Sequence, residues 1–409
     1  MAHNHWNNYK LSRRKLFRNA GIGLCFFGLS GLSGCTEEDS KEKDAERIKE
    51  KTPFQPNEKG DQFLTTEHKK GLVNPQPSPW FSQANDDQLQ CELCPKACKL
   101  SRGKRSLCRV RENKNGEGYT LAYGNPALLQ EDPIERKPFF HVLPGSRALS
   151  ISTAGCNLSC KFCEVWDMAL EKPEEIFAYK VPPENVITLA REAQLRSISY
   201  AFGEPVIFYE YMEDTAVQAK KAGFLNLVHT AGYIKQKPLK RLLDKIDAVN
   251  IDLKGFDPSF YREIVGGELN PVLETLKTLK DAGKHIEVTH IVIPNLNDDM
   301  EKIEEMCQWI VENLGENTPL HFSRFYPLYK LSDLPRTPVS TLEEARETAI
   351  KAGLNFVYLA KVTDHEGENT YCPNCGEQVI NRLGFVIEDI QLTEGKCSFC
   401  DHKIPGIWS

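Results

Sequence analysis

The stretch that decides the fold runs Leu149-Ser150-Ile151-Ser152-Thr153-Ala154-Gly155-Cys156-Asn157-Leu158-Ser159-Cys160-Lys161-Phe162-Cys163. Its first six residues read as a buried strand. Three cysteines follow at once, with C-x3-C-x2-C spacing and an aromatic residue, Phe162, before the last. Thiolates set this closely converge on metal rather than forming a disulfide framework. A zinc site built from these three alone would lack its fourth ligand. A cubane iron–sulfur cluster held by three thiolates would keep one iron open.

Outward from this stretch the chain alternates. Strand-like runs lie at Ser197–Phe202, Leu225–Thr230, Ala248–Lys254, Ile286–Ile293 and Leu320–Phe325. Helical patterns lie between them at 184–195, 208–222, 238–245, 270–282 and 298–314. Alternation of this kind predicts βα units around a parallel sheet. With the cysteine strand it makes six units. Active residues of such folds collect at strand C-termini. Gly203-Glu204-Pro205 follows the second strand, and Asp252-Leu253-Lys254 ends the fourth. Asp252 and Lys254, two positions apart, point to the same face. Their alternatives are a ligand contact and a structural ion pair. His290 and Asn297 flank the end of the fifth strand and His321 lies in the sixth, where a lone histidine is as readily a satisfied core residue.

Eleven of the 14 cysteines fall into three clusters, leaving Cys25, Cys35 and Cys307 outside. Cys91, Cys94, Cys98 and Cys108 lie among Lys96, Lys99, Arg102, Lys104, Arg105, Arg109 and Arg111. This set could hold zinc or an auxiliary iron–sulfur cluster, or form disulfides in an oxidising compartment. Cys372, Cys375, Cys397 and Cys400 form two C-x2-C knuckles, the pattern of a zinc ribbon or a rubredoxin-like iron site. That segment is too short for a core of its own, so metal would supply its folding energy. Cys307 reads as a buried free thiol.

The chain has 409 residues, 40% hydrophobic and 26% charged, with a formal charge of −6. That charge argues against a general polyanion binder. No run reaches the roughly 18 apolar residues of a membrane-spanning helix. Near the start, Ser12-Arg13-Arg14-Lys15-Leu16-Phe17 precedes an apolar run, Ala20 to Ser33, that ends in Leu32-Ser33-Gly34-Cys35. This is the layout of an export signal, and it resembles a twin-arginine signal joined to a lipoprotein processing box. It predicts export and a lipid anchor on Cys35, with the cytoplasm or its membrane face as the alternative location. Residues 36–62 are charged and almost devoid of apolar side chains, so they read as a solvated tether.

The Cys156–Cys163 motif resembles the signature of the radical S-adenosylmethionine superfamily, and Phe202-Gly203-Glu204-Pro205 resembles its Gly-Gly-Glu-Pro element. More narrowly, the chain from Cys91 onward resembles the radical enzymes of the AmmeMemoRadiSam system, distant relatives of pyruvate formate-lyase activating enzymes. The residues that carry this are the Cys91–Cys108 module, Asp132-Pro133-Ile134-Glu135-Arg136-Lys137-Pro138 and His141-Val142-Leu143-Pro144-Gly145-Ser146. Glu204 through Met212, Trp166 and the terminal Ile404-Pro405-Gly406-Ile407-Trp408 complete the set. Where the family has Thr-Asn-Gly-Tyr, this chain has Thr230-Ala231-Gly232-Tyr233.

The resemblance implies an α/β fold, a partial (β/α)6 TIM-like barrel with an N-terminal Cys-rich module and a C-terminal zinc-ribbon or rubredoxin-like module. The corresponding ranges are signal 1–35, disordered linker 36–80, Cys-rich module 81–145, barrel 146–363 and metal ribbon 364–409. It implies a [4Fe–4S] cluster on Cys156, Cys160 and Cys163, and S-adenosylmethionine on the open iron. Phe162, Gly203, Glu204, Asp252, Lys254 and a ribose-contacting His321 would serve the cofactor. The reaction implied is reductive cleavage of S-adenosylmethionine and hydrogen abstraction from a protein or other macromolecular substrate. Partners implied are an electron donor and Memo-type and AMMECR1-type proteins; nothing indicates nucleic acid. The alternatives are a glycyl radical enzyme activase and, in another class, a non-catalytic exported iron–sulfur electron-transfer lipoprotein.

Overall fold

A computed structural model of the chain describes residues 67–409. The export signal, Cys25, Cys35 and the whole tether, residues 36–62, lie outside the described residues. The main sheet has eight strands in chain order: β1 (Leu128–Pro133), β2 (Arg147–Ser152), β3 (Ser197–Tyr200), β4 (Leu225–Thr230), β5 (Ala248–Asp252), β6 (His285–Val292), β7 (Leu320–Arg324) and β8 (Val357–Ala360). Strands β2 to β8 are parallel, and β1 pairs antiparallel with β2. Helices α1 (Pro183–Glu192), α2 (Tyr209–Lys221), α3 (Gln236–Leu242), α4 (Leu269–Asp281), α5 (Met300–Leu314) and α6 (Val339–Lys351) make the crossovers.

The five downstream strands and five helices fall where the sequence pattern puts them. The count differs from six units in two ways. A seventh parallel strand, β8, follows α6. The segment assigned to the Cys-rich module contributes β1, which covers the edge of β2 that would otherwise lie open. The last residues of the range 36–80 expected to be a disordered linker are paired and packed. His68–Lys70 pairs with Phe177–Tyr179, Gln76–Pro77 pairs with Tyr119–Thr120, and Trp80 is buried. Backbone pairing of short edge strands orders this segment despite its polar composition.

The two faces of the sheet differ. Ile151, Ile198, Val228, Val249, Val288, Phe322 and Leu359 are buried on one side, in the same core as the inward faces of the helices. The alternate positions are polar: Ser150, Ser199, His229, Asn250, Glu287, Thr289 and His321, in register from strand to strand. Strand alternation makes this division automatic. A row of polar groups on a covered face is unlike the branched apolar layers that fill a closed barrel.

The lower part of the polar face, toward the strand N-termini, is plugged by residues 133–143. Phe140 N–H and His141 N–H donate to Glu287, and Asn250 Nδ2 donates to Pro138 O. The C-terminal segment docks there too. Leu143 N–H donates to Ile407 O, and Arg382 lies 4.2 Å over the Phe140 ring while donating to Phe140 O. Phe140, Phe356 and Tyr358 share a core with Cys372, Val379, Ile380, Cys397 and Ile404. The ribbon thus buries apolar surface against the body, which corrects the expectation that metal alone folds it. Among the described residues no helix is long and apolar enough to cross a membrane.

Candidate active site and cysteine centres

Residues 153–163 leave the C-terminal end of β2 and are held by backbone contacts. Gly155 N–H donates to Met168 O, Ser159 N–H to Val265 O and Lys161 N–H to Ile264 O. The last two acceptors belong to a single π-helical turn, Tyr261–Val265, a feature common at functional sites. Gly155 has φ +96°, and a β-carbon there would stand 2.4 Å from Cys108 O. Only glycine satisfies both the dihedral and the space.

Cys156, Cys160 and Cys163 are half-buried, and no disulfide joins any of the described cysteines. Burial pushes all three thiols up, Cys163 to about 12, and neighbouring Glu204 adds to the effect on Cys156. Three half-buried, mutually repelling thiols stay protonated on their own. Bound metal reverses this by deprotonating its thiol ligands outright. The donor set therefore fits a cationic iron centre.

Phe162 is buried beside Phe260, and Lys254 Nζ lies 5.8 Å from its ring centroid. Lys254 Nζ also donates to Asp252 Oδ2 at 2.9 Å, while His229 Nε2 meets Oδ1 at 2.8 Å. Burial would push Asp252 up, but Lys254 and His229 outweigh it and hold the carboxyl well below its usual range. Burial would likewise push Lys254 down, but Asp252 outweighs it and holds the ammonium above its usual value. Lys254 also lowers the Cys160 thiol against its burial. Cys160, Phe162, Asp252 and Lys254 are thus brought together as the spacing predicts.

Gly203 N–H donates to Ser152 Oγ, and a β-carbon there would stand 2.3 Å from that oxygen. Glu204 is buried, and burial raises its carboxyl. Its Oε1 accepts from Val206 N–H and Thr230 Oγ1, and its Oε2 from Ala231 N–H. About four acceptor positions exist on a carboxylate; three are filled, one by the Pro205–Phe208 turn and two by Thr230 and Ala231 at the end of β4. Glu204 therefore braces the rim and keeps one position free.

His321 does not join this group. Its side chain is fully buried, Nε2 lies 2.6 Å from Glu287 Oε2, and its ring stacks on Tyr358 and meets Phe140 edge-on. No ring surface is left for a ribose, which corrects that expectation. His290 and Asn297 are clamps on the turn after β5. His290 Nδ1 lies 2.8 Å from Leu253 O, and Asn297 Nδ2 donates to Lys254 O and Ile291 O. Sequence reasoning passed over His229 and Thr230. His229 carried a usable signal, since it shares the polar face with Asn250 opposite it in register. Thr230 carried none, because its role depends on where Glu204 folds.

The C-terminal cysteines gather at a different scale. Cys372, Cys375, Cys397 and Cys400 place their sulfurs within 4.8 Å of one another, with contacts of 3.6 and 3.7 Å. A tetrahedral ion with metal–sulfur bonds of about 2.3 Å separates its sulfurs by about 3.8 Å. The quartet is built for one ion, zinc or iron. It sits at the strand N-termini, whereas Cys156–Cys163 sits at the C-termini. Five or six residues of strand, about 17–20 Å, lie between, so the ribbon is placed to staple the body.

Residues 150–310 match the Radical SAM superfamily. The uncharacterized protein MJ0808 of Methanocaldococcus jannaschii is 42% identical over 327 residues, 80% of this chain and 97% of that one. The pyruvate formate-lyase-activating enzyme of Clostridium pasteurianum is 26% identical over 179 residues, 42% of this chain and 71% of that one. A solved radical SAM methyltransferase from Sphaerobacter thermophilus aligns with a TM-score of 0.43 at 14% identity, over 73% of this chain and 81% of that one. The cysteine loop, the parallel sheet that carries it, the family match over residues 150–310 and the two sequence relatives make the chain a member of the radical SAM superfamily.

Proposed function

We propose that the protein is a radical S-adenosylmethionine enzyme of the AmmeMemoRadiSam type. In this reading Cys156, Cys160 and Cys163 hold a [4Fe–4S] cluster with one open iron. When bound, the cluster and S-adenosylmethionine supply an electron and a 5′-deoxyadenosyl radical that abstracts hydrogen. The chain's own residues arrange the ligands. Gly203 lets backbone approach closely, and the free acceptor position of Glu204 suits an ammonium group. The Asp252–Lys254–His229 cluster presents fixed charge at the mouth, and Phe162 shields the cysteine loop from water.

The observation that carries this reading is the meeting of the half-buried Cys160 and Cys163 thiols with Lys254, which lies over Phe162, at the C-terminal ends of β2 and β5. The substrate is a protein or other macromolecule, and a Memo-type or AMMECR1-type partner and a lipid anchor on Cys35 belong to the same proposal. A second reading, glycyl radical enzyme activase, is favoured by the similarity to the clostridial activating enzyme.

The test is anaerobic reconstitution with iron and sulfide, then dithionite and S-adenosylmethionine. The expected product is 5′-deoxyadenosine, abolished in Cys160→Ala. A fully loaded protein that leaves S-adenosylmethionine intact overturns the enzymatic reading. A glycyl radical on a co-purified partner selects the activase.

A further inference from the structure

A cavity lies between the N-terminal module and the cysteine loop, lined among others by Cys91, Cys94, Cys98, Cys108, Arg111 and Asn157. The module is two small antiparallel sheets. Gln88–Cys91 and Lys99–Ser101 belong to one, and Arg111–Lys114 to the other. They turn four thiols toward the body of the protein without closing them on one another. Among the described residues, only the C-terminal quartet gathers three or more such donors within 4.8 Å. A single tetrahedral ion draws four sulfurs to about 3.8 Å. A cluster that spends one thiolate on each of several irons holds them apart.

One polar group points to an occupant. Arg111 is 1% exposed, and its Nη atoms are engaged by Glu210, Ser78 and Ile207 O. Its Nε–H has no partner. An orphaned buried N–H costs about 1–3 kcal/mol unless something accepts from it. Inorganic sulfide and thiolate sulfur are such acceptors, and hydrogen bonds to cluster sulfurs are a recognised tuning element. Lys96 adds a further cation on the cavity wall.

We infer that Cys91, Cys94, Cys98 and Cys108 bind an auxiliary iron–sulfur cluster rather than zinc, wedged against the loop that carries Cys156. The contact is direct. Asn157 lines the cavity and is next in sequence to Cys156, and Cys108 O lies against the α-carbon of Gly155. Two paramagnetic clusters placed so would relax one another's spins. The site depends only on these four cysteines, so it stands or falls apart from S-adenosylmethionine cleavage.

The experiment compares anaerobically purified full-length chains. Cys156→Ala/Cys160→Ala/Cys163→Ala should keep acid-labile sulfide with iron, about half the wild-type sulfide for an auxiliary [4Fe–4S] cluster and about a third for a [2Fe–2S] cluster. Cys94→Ala/Cys98→Ala should lose that share and keep the central cluster's absorbance. In reduced wild-type protein the central cluster's EPR signal should relax faster than in Cys94→Ala/Cys98→Ala. Zinc without sulfide at the N-terminal cysteines, or a metal-free module in both wild type and the triple variant, overturns the proposal. So does identical spin relaxation in wild type and the double variant. Should the triple variant not fold, the iron and sulfide difference between wild type and the double variant decides alone.

Discussion

His229 Nε2 lies 2.8 Å from Asp252 Oδ1, so a residue of β4 and the last residue of β5 share one carboxylate that Lys254 also grips. Hydrogen bonds to charged groups contribute about 1.5–3 kcal/mol each. Asp252→Asn is expected to lower 5′-deoxyadenosine formation about tenfold or more, since tenfold corresponds to about 1.4 kcal/mol. Iron and sulfide content should not change, because Asp252 is hydrogen-bonded to His229 and Lys254 and not to a thiol. Product chromatography beside an iron assay checks this; loss of iron would assign the cluster a structural role in the loop instead. With its carboxyl held low, Asp252 contributes stability above the ordinary value of about 3.9 and loses it as pH falls below that.

The rim glycine is the second point of leverage. A β-carbon on Gly203 would collide with Ser152 Oγ at 2.3 Å, with Met168 Cε next at 3.3 Å. Gly203→Ala should destabilise by about 1–3 kcal/mol, the usual cost of forced overpacking. Adding Ser152→Ala removes the nearest atom and should recover part of that loss. Urea denaturation of the two single variants and the double variant measures the coupling. Strict additivity would mean the collision is relieved elsewhere.

Removing one C-terminal ligand should separate stability from chemistry. Cys400→Ser is expected to release the ribbon's single metal ion and lower Tm by several degrees, since the ribbon shares its core with Phe140, Phe356 and Tyr358. Iron and sulfide at the other cysteines should be retained. Elemental analysis with a thermal melt reads both at once. Loss of S-adenosylmethionine cleavage at full cluster content and below the Tm would mean the ribbon acts in the reaction.

Acid sensitivity should trace to His141. Burial pushes this imidazole down to about 3. Its Nδ1 meets Pro405 O and its Nε2 meets Tyr358 Oη, each at 2.6 Å, which a neutral ring satisfies by donating from one nitrogen and accepting at the other. The unfolded chain binds this proton near pH 6.5 and the folded chain only near 3. The stabilisation is therefore complete above about 6.5 and erodes as pH falls toward 3. His141→Gln should be less stable at pH 7 and show a shallower decline from pH 7 to 5. Parallel denaturation profiles for the two proteins would place the acid sensitivity elsewhere.

Much of the architecture was legible because periodicity reports burial. The strands that begin at Leu225 and Leu320 and the helices of the middle stand where the pattern put them, and the three cysteine clusters announced themselves by spacing. β1 was missed because Leu128–Pro133 carries Gln130, Glu131 and Asp132, which mask the alternation expected of a sheet edge. β8 was missed because Val357–Ala360 is only four residues long. His321 was misplaced because its position in a strand does not tell which groups fill the space beside it.

Local chemistry along the chain determined which residues could bind metal, and the alternation of strand and helix determined the kind of sheet that would carry them. These follow from spacing and from the periods of helix and strand, and both are properties of neighbours in sequence. Only the tertiary structure decided that Glu204 would be braced by Thr230, that His229 would reach Asp252, and that one quartet of cysteines would close to single-ion spacing while another stood open against Asn157. Those outcomes rest on distances between side chains from separate strands and modules, and packing alone sets such distances.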